Sequence, residues 1–394
     1  MRVSVRMRWL AVAASVGGVA VAGCGSGSGD STPAASGGSN DASAAAVKAA
    51  KADLATAAKG RMTQPPTKPN PAGKGKSIWV IEVSAVSPSV TVPAKTVQEA
   101  AKALGWKTTI VDAKANPAEY IKGVNSALAN GADGIVLLAV DCSYIKNGLQ
   151  EAKRKHVGVT AIYAFDCNET NPGSPKLFSA GISFGDRFES LPVAWEQWGA
   201  DQASWIIANT GGEARALILH NEQIAVLRSF QDGFERQMKQ CSTCKVINTN
   251  WDITKALTPD QIAALIKNAS LKNPEINSSG FGSTVTSGFD QGILALGPKG
   301  RKMKVIGGLG LPEEFDLIRE AKGLNATTAW PQEWIAYAAI DSLNSFFNNR
   351  PLEDEGIGWQ VIDNSNKAAM PAAGKLWQGN DTFRETYKQR WGVG

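Results

Sequence analysis

The sequence contains little of the chemistry on which most enzymes depend. Only two of its 394 residues are histidines, His156 and His220, and no spacing typical of a metal site surrounds them. The sequence has no Gly-x-Ser-x-Gly motif and no Gly-x-x-x-x-Gly-Lys-Ser/Thr phosphate-binding loop. The glycines of "IGGLGLPEE" lack the spacing of a dinucleotide-binding fingerprint. We therefore expect a protein that is not an enzyme and that needs neither a cofactor nor a metal.

The chain also lacks a large excess of basic over acidic side chains, or the reverse. The chain has 41 basic and 36 acidic side chains, and three of the basic ones, Arg2, Arg6 and Arg8, lie at its N-terminus. Without residues 1–23 the balance is 38 to 36. Because no block of basic residues occurs later, we expect no nucleic-acid partner. No second long apolar run follows either, so we expect contact with a membrane only through the N-terminal end.

Cysteine is rare, with five in the chain, and the position of the first one is informative. The three arginines precede an apolar run that is too short to span a membrane comfortably, which is typical of an export signal. The run ends in Val21-Ala22-Gly23-Cys24, which resembles a bacterial lipobox. This resemblance predicts a signal peptide over residues 1–23, lipidation of Cys24 and a place on the extracytoplasmic face of the cell membrane. The alternative is an ordinary signal peptide followed by a chance cysteine.

Residues 24–75 have the composition of a tether. Gly, Ser, Ala and Thr dominate up to residue 40, a segment with almost nothing to bury. An Ala-rich stretch with lysines follows and favours a marginal helix, and "TQPPTKPNPAGKGKS" then predicts an extended spacer. We expect a lipidated cysteine and a flexible tether ahead of a folded body.

The body alternates strand and helix patterns from residue 76 onward. "SIWVIEV", "WKTTIVDA", "ADGIVLLAV" and "VGVTAIYAF" read as strands, and patterns of ten or more helical residues separate them. The alternation resumes after residue 185 with "ARALILH", "KVINTNW" and "MKVIGGLG". Successive βαβ units predict an α/β fold with doubly wound parallel sheets in two lobes.

Several segments resemble the type I periplasmic binding proteins of sugar-type ABC transporters, the ribose-binding-protein group. These segments are "NPAEYIKGVNSALANGADGIVLLAVD", "RSFQDGFERQM", "NTNWDITKA", "KVIGGLGLPEEFDLIREAKGLNATTAWPQE" and "FRETYKQRWGV". The last segment is similar to actinobacterial members of that group. The resemblance covers roughly residues 76–394.

The resemblance implies two lobes joined by three crossings, near Ser183, Trp330 and Trp359. Lobe 1 is expected to comprise residues 76–183 with about 331–358, and lobe 2 residues 184–330 with about 359–394. It further implies a monomer that holds a small molecule, a sugar or sugar-like compound, between the lobes and delivers it to an ABC permease. The alternatives are a lipoprotein that senses a ligand without transport, and an extracytoplasmic thiol–disulfide enzyme.

The resemblance also indicates where the ligand would bind. Arg228, five positions before Gly233-Phe234, matches the family's pocket arginine, and Trp251 matches its stacking aromatic residue. Elsewhere the chain departs from the pattern, because Leu309 replaces the sugar-binding aspartate and Trp330 replaces the hinge glutamine. A pocket with few acceptors suits a less hydroxylated or aromatic ligand. The predicted ligand-binding residues are Arg228, Trp251, Trp330, Leu309, Ser283, Thr284, Tyr163, Asp166 and Asp141.

The other four cysteines form two predicted disulfides. Cys142 follows the third strand and Cys167 the fourth, so both are expected at the same edge of the first sheet. Cys241 and Cys244 form a Cys-x-x-Cys pair between a helix and a strand. Redox-active pairs lie at a helix N-terminus, where the thiolate is favoured, so this position favours a structural disulfide over an enzymatic one.

Overall fold

Two separate sheets contain the strands in the part of the chain that the computed structural model describes, residues 37–282 and 286–394. The first sheet is entirely parallel and has the order β2-β1-β3-β4. Its strands are β1 (Ser77–Glu82), β2 (Lys107–Asp112), β3 (Gly134–Leu138) and β4 (Gly158–Ile162). Both β3 and β4 are buried along their whole length, as expected for parallel strands with helices on both faces.

The second sheet has the order β10-β9-β8-β7-β5-β6 and is parallel except at one edge, where β10 runs antiparallel to β9. Its strands are β5 (Arg215–His220), β6 (Lys245–Asn250), β7 (Ser278–Phe281), β8 (Lys304–Gly307), β9 (Ala326–Ala329) and β10 (Gln360–Asp363). Two parallel-sheet lobes confirm the fold class expected from the sequence pattern.

Helices connect the strands and cover the sheets. The helices up to residue 238 are α1 (Gly37–Lys59), α2 (Pro88–Ala103), α3 (Pro117–Ala129), α4 (Cys142–Arg154), α5 (Cys167–Thr170), α6 (Leu191–Asn209) and α7 (Ala225–Met238). Those that follow are α8 (Pro259–Lys272), α9 (Thr286–Leu294), α10 (Pro298–Lys302), α11 (Pro312–Glu320), α12 (Gln332–Phe347) and α13 (Phe383–Trp391). Short 3₁₀ helices occupy Gly185–Arg187 and Asn364–Ala369. No helix in the described ranges is both long enough and apolar enough to cross a membrane.

Local sequence explains where several helices begin. Asn116 caps α3 by accepting a hydrogen bond from the backbone N–H of Ala118, and Pro117 occupies the first helical position, where no donor is needed. Ser190 caps α6 in the same way through the N–H of Val193, again ahead of a proline. These signals are local, which is why the helix pattern could be read from the sequence.

The chain passes between the two sheets near Ser183, Trp330 and Trp359. Residues 183–190 lead from the first sheet to α6, and a bridge joins Ser183 to Asp354 of another crossing. Trp330 lies between β9 and α12, which packs against β4 and α2 of lobe 1. Trp359 precedes β10 of lobe 2.

Within the expected tether of residues 24–75, residues 41–75 are not free, contrary to our expectation. Helix α1 packs on lobe 2, where the amide of Gln237 donates to the carboxylate of Asp53 at 3.0 Å, and Ala46, Ala50 and Ala57 are buried. Small alanine side chains let this helix approach its neighbours closely. Composition alone indicated a weak helix, but packing against lobe 2 stabilises it.

The segment after α1, residues 60–76, crosses from lobe 2 to lobe 1, and we call it the strap. Its backbone pairs with the third crossing, since the N–H of Arg61 donates to the carbonyl of Trp359 at 2.8 Å and the N–H of Thr63 to that of Gly356 at 2.9 Å. A Cβ at position 358 would lie 2.3 Å from the Arg61 carbonyl oxygen, so only glycine allows this approach.

On lobe 1 the strap is held by Asn70, which is fully buried. Its amide donates to the Asp341 carboxylate and the Ser345 hydroxyl, at 3.2 and 3.0 Å. Its backbone N–H donates to the carbonyl of Arg390 at 2.7 Å. The strap is therefore an ordered fourth connection between the lobes.

The last helix also differs from the expected division, which assigned residues 359–394 to lobe 2. Helix α13 packs on α12 of lobe 1, where the Trp391 ring stacks on Tyr337 with centroids 5.6 Å apart. Arg390 forms a buried ion pair with Asp341 at 3.0 Å. The chain thus returns to lobe 1 after β10, which makes a fifth connection in the described residues.

Candidate ligand-binding site

A cavity of about 50 Å³ lies between the lobes, at the ends of strands from both sheets. The carboxyl ends of parallel strands are where open α/β sheets bind ligands, because the loops there are free to vary. Lobe 1 contributes residues that follow β1 and β3 or that begin α2, namely Val83, Ser84, Ser87, Ser89, Val90 and Ala139. Lobe 2 contributes mainly apolar side chains after β5, β6 and β8, namely Ile224, Val226, Leu227, Ile253, Leu257 and Leu309.

Tyr163 and Trp195 form one aromatic corner of this cavity. Their rings meet edge to face with centroids 5.8 Å apart. The Tyr163 hydroxyl donates to the side-chain oxygen of Gln332 at 2.9 Å, and burial raises the pKa of Tyr163, so this hydroxyl remains a donor. Tyr163 and Ala139 both have a left-handed backbone, with φ of 58° and 54°. Strained backbone at two strand ends is typical of a functional site.

Trp251, for which the sequence predicts a stacking role, lies in the lobe 2 wall of the cavity. It follows β6 and is buried, and its indole N–H donates to the carbonyl of Ala256 at 2.6 Å. This bond fixes the ring by a contact within its own loop and leaves its apolar surface facing the cavity.

Leu309 lines the cavity because of an unusual turn after β8. The N–H groups of Leu309, Gly310 and Leu311 all donate to the Glu314 carboxylate, at 2.7 to 3.2 Å. Gly308 and Gly310 have positive φ, and a Cβ at position 308 would lie 2.1 Å from a Glu314 oxygen. The glycines of "IGGLG" therefore build a carboxylate-binding turn that presents a leucine side chain where the family pattern has an aspartate.

Trp330 does not line the cavity but lies directly behind it, in a column of stacked rings. Trp195 stacks on Trp330 with centroids 4.9 Å apart, Trp330 on Trp359 at 5.4 Å, and Trp359 on Phe188 at 5.2 Å. Each of the three expected crossings contributes one ring to this aromatic column, which extends from the cavity wall to the strap, where Arg61 lies 5.7 Å above the Trp359 ring.

The predicted aspartates are both buried, and both bind backbone instead of facing the cavity. Asp166 accepts hydrogen bonds from the N–H groups of Cys167, Leu177 and Phe178, all within 3.1 Å. Asp166 therefore fixes the loop that follows β4. Sequence alone could not distinguish this use of a carboxylate from ligand binding.

Asp141 connects the lobes across the cleft. One of its oxygens accepts from the N–H of Phe165 in lobe 1 and the other from the N–H of Ala225 at the start of α7 in lobe 2, both at 2.8 Å. Burial raises the pKa of Asp141 to about 6, although both hydrogen bonds and the nearby Arg228 favour the charged form. Tyr144 makes a second contact between the lobes by donating to the carbonyl of Gln223 at 2.9 Å.

Arg228, predicted to grip the ligand, does not line the cavity. Its guanidinium donates to the carbonyl of Glu222, on the outer side of the α7 N-terminus. Ser283 and Thr284 lie outside the described residues, as does Cys24. The neighbouring Gly282 does line the cavity.

Both predicted disulfides are present. Cys142 is bonded to Cys167 with a Cα separation of 5.1 Å, and Cys241 to Cys244 with one of 5.3 Å. Cys142, Cys167 and Asp166 are the one group of three possible metal ligands found among the described residues. Because both sulfurs are in a disulfide and the carboxylate binds backbone, this group offers no metal site.

Comparisons with known proteins agree with this architecture. Residues 87–350 match the model of the periplasmic binding protein domain. Similar solved structures include a glucose-galactose binding protein from Geobacillus stearothermophilus, at 17% identity and a TM-score of 0.63, over 74% of this chain and 99% of that one. A search of curated proteins found no match.

Two further structures carry bound ligands. An ABC transporter solute binding protein from Agrobacterium vitis with bound allitol is 18% identical, with a TM-score of 0.63, over 80% of this chain and 99% of that one. One from Mycobacterium smegmatis with bound glycerol is 15% identical, with a TM-score of 0.62, over 77% and 99%. At these identities the likeness to the solved structures concerns the fold. The match of the domain model over two thirds of the sequence shows that the chain belongs to the periplasmic binding protein family.

Proposed function

We propose that this protein is a lipid-anchored extracytoplasmic solute-binding protein that captures a small molecule between its lobes and delivers it to an ABC import permease. The observation that carries the proposal is the cavity at the strand ends, to which both lobes contribute walls. A molecule held there is buried by closure of the lobes, which is how hinged two-lobe proteins bind small ligands.

The proposal is tested by small-angle scattering and thermal melting of the purified protein with a panel of sugars, polyols and aromatic compounds. A bound solute should reduce the radius of gyration and raise the melting temperature, because it binds only the closed native state. If no solute in the panel contracts the protein or raises its melting temperature, capture by closure is refuted.

An experiment with a reconstituted permease distinguishes a transport role from a sensing role. Stimulation of ATP hydrolysis by a reconstituted permease complex, in the presence of the loaded protein, supports transport. Binding without such stimulation favours a sensor.

The anchoring part of the proposal rests on the lipobox-like Val21-Ala22-Gly23-Cys24. Cys24→Ala should release the protein from the membrane fraction or leave it unprocessed. A Cys24→Ala protein that is processed and retained like the wild type would contradict it.

The thiol–disulfide alternative finds no support in the position of the Cys241–Cys244 pair. The two cysteines follow the C-terminal end of α7 and precede β6, and both sulfurs lie near the carbonyl of Gly212, at 3.2 and 3.4 Å. Neither residue lines the cavity. Carbonyl oxygens beside a sulfur disfavour a thiolate, in contrast to the helix N-terminus of redox enzymes.

A further inference from the structure

The walls of the cavity carry no charged side chain in the described part of the chain. Lobe 2 presents hydrocarbon and the Trp251 ring. Lobe 1 presents three serines, Ser84, Ser87 and Ser89, beside the Tyr163 ring. The cavity is therefore polar on one side and apolar on the other.

Three charged groups adjacent to lining residues, Asp141, Glu314 and Arg228, are already bound within the protein. Both oxygens of Asp141 accept backbone N–H groups, and the Glu314 carboxylate accepts three backbone N–H groups and the hydroxyl of Thr327 at 2.7 Å. The guanidinium of Arg228 binds the carbonyl of Glu222. Turning either carboxylate toward a ligand would leave buried N–H groups without acceptors, which is costly.

The serine side has a limited hydrogen-bonding capacity. The Ser84 hydroxyl oxygen accepts from the N–H of Val86 at 3.3 Å and keeps its own proton for donation. Ser87 and Ser89 share one hydrogen bond at 3.3 Å, which leaves one donor between them. The donors of Tyr163 and Trp251 are used within the protein. Among the described side chains, the three serines thus keep about two free donors at the lobe 1 wall, together with lone pairs of their oxygens that can still accept.

We propose that the site selects a small, uncharged molecule with one polar end, a hydroxyl or carbonyl group, and an apolar or aromatic body. The polar end binds the serines, and the body packs against Trp251, Leu309 and the aliphatic side chains of lobe 2. A hexose or a polyol would bring hydroxyls to a hydrocarbon wall that cannot replace their water. This inference rests on the proposed function and makes its ligand class specific.

The test compares probe molecules that share a carbon skeleton but differ in hydroxyl number or charge. The pairs are cyclohexanol with myo-inositol, hexan-1-ol with allitol, and benzyl alcohol with benzoate. Titration calorimetry on the purified protein is the readout, since alcohols also lower melting temperatures nonspecifically. The first member of each pair should bind saturably and at least tenfold more tightly than the second.

A variant pair locates this binding in the cavity. Leu309→Asp places a charge in the apolar wall and should weaken cyclohexanol binding at least tenfold. Leu271→Asp, on the outer face of α8 where the side chain is 66% exposed, should leave it unchanged. If Leu309→Asp does not fold, Leu309→Asn introduces a polar group without the charge and should weaken binding in the same direction.

Tighter binding of myo-inositol, allitol or benzoate than of their partners would overturn the inference, and so would the absence of binding by every monofunctional probe. Equal loss of cyclohexanol binding in the Leu271 variant would overturn it as well. These results can be distinguished from failure of the proposed function. If the proposed function is wrong, no solute of any class contracts the protein.

Discussion

At the scale of single residues, Trp251 and Asp141 have different structural roles on either side of the cleft. Trp251 offers its ring to the cavity because its N–H is bound within its own loop. Asp141 keeps its carboxylate away from the cavity and joins the two lobes through backbone N–H groups. The apolar cavity wall and the contact between the lobes therefore depend on different side chains, and each can be altered without the other.

Trp251→Ala should lower the affinity for the tightest-binding solute at least tenfold, as measured by titration calorimetry. The variant loses the apolar area of the ring and an aromatic contact of ~0.5–1.5 kcal/mol beyond it, and ~1.4 kcal/mol corresponds to a factor of ten. Trp377→Ala is a matched control, because Trp377 is equally buried, at 6% exposure, but lies outside the cavity. Equal affinity in the Trp251 variant and the wild type would show that the ligand binds elsewhere.

Asp141 should make stability depend on pH between about 4 and 6. Its pKa is about 6 in the folded protein, against ~3.9 for an aspartate in an unfolded chain, so the folded state retains the proton over this interval. The contribution of Asp141 to stability is therefore full below about pH 4 and is lost as the pH rises through about 6. Two pKa units correspond to ~3 kcal/mol.

The measurement is urea unfolding of the wild type and of Asp141→Asn across this range. The free energy of unfolding of the wild type minus that of the variant should fall by ~2 kcal/mol from pH 4 to pH 6.5. A constant difference, or one that grows with pH, would show that the hydrogen bonds from Phe165 and Ala225 and the charge of Arg228 outweigh burial.

At the scale of elements, the strap and α1 form an addition to the two-lobe fold. The strap binds lobe 2 through Arg61, whose guanidinium donates twice to the fully buried Asp201, at 2.7 Å in both bonds. Asp201 also accepts from the indole N–H of Trp359 at 2.8 Å, so the ion pair is attached to the aromatic column. The strap thereby stabilises the hinge from the side opposite the cavity wall formed by Trp195.

Arg61→Ala should lower the free energy of unfolding by ~3 kcal/mol, because it leaves the buried Asp201 without its counter-charge. Lys122→Ala, which removes an exposed i,i+3 pair with Glu119, should change it by less than ~0.5 kcal/mol. Urea unfolding measures both. A similar small loss for the two variants would mean that the strap contributes little to the fold.

At the scale of the whole molecule, the two lobes could be predicted from the sequence, but not all of the connections between them could. Strands such as β3 and helices such as α3 carry local signals, namely a continuous buried run and a capping asparagine. The two disulfides followed from where the cysteines stood relative to those elements. Features set by neighbouring residues were therefore predictable.

The strap and α13 were misassigned because their positions depend on distant contacts. Asn70 binds α12 some 270 residues later in the chain, and no apolar periodicity marks a segment held mainly by polar bonds. Within the cavity lining, Trp251 and Leu309 could be placed because each occupies a position that the family pattern assigns to the pocket, although the side chain at 309 differs from that pattern. Arg228 and Asp166 could not, since only the structure shows that their charges bind backbone groups.

The strap has a practical consequence for how the folded unit is delimited. The family match begins at residue 87 and the first strand at Ser77, so either would be a natural starting point for a recombinant fragment. A fragment cut there would lose Arg61 and Asn70 together, leaving two carboxylates, Asp201 and Asp341, without these strap partners in the interior of opposite lobes. Poor yield or aggregation of such a fragment would reflect a missing piece of the hinge rather than an unstable protein, and a start ahead of α1 avoids it.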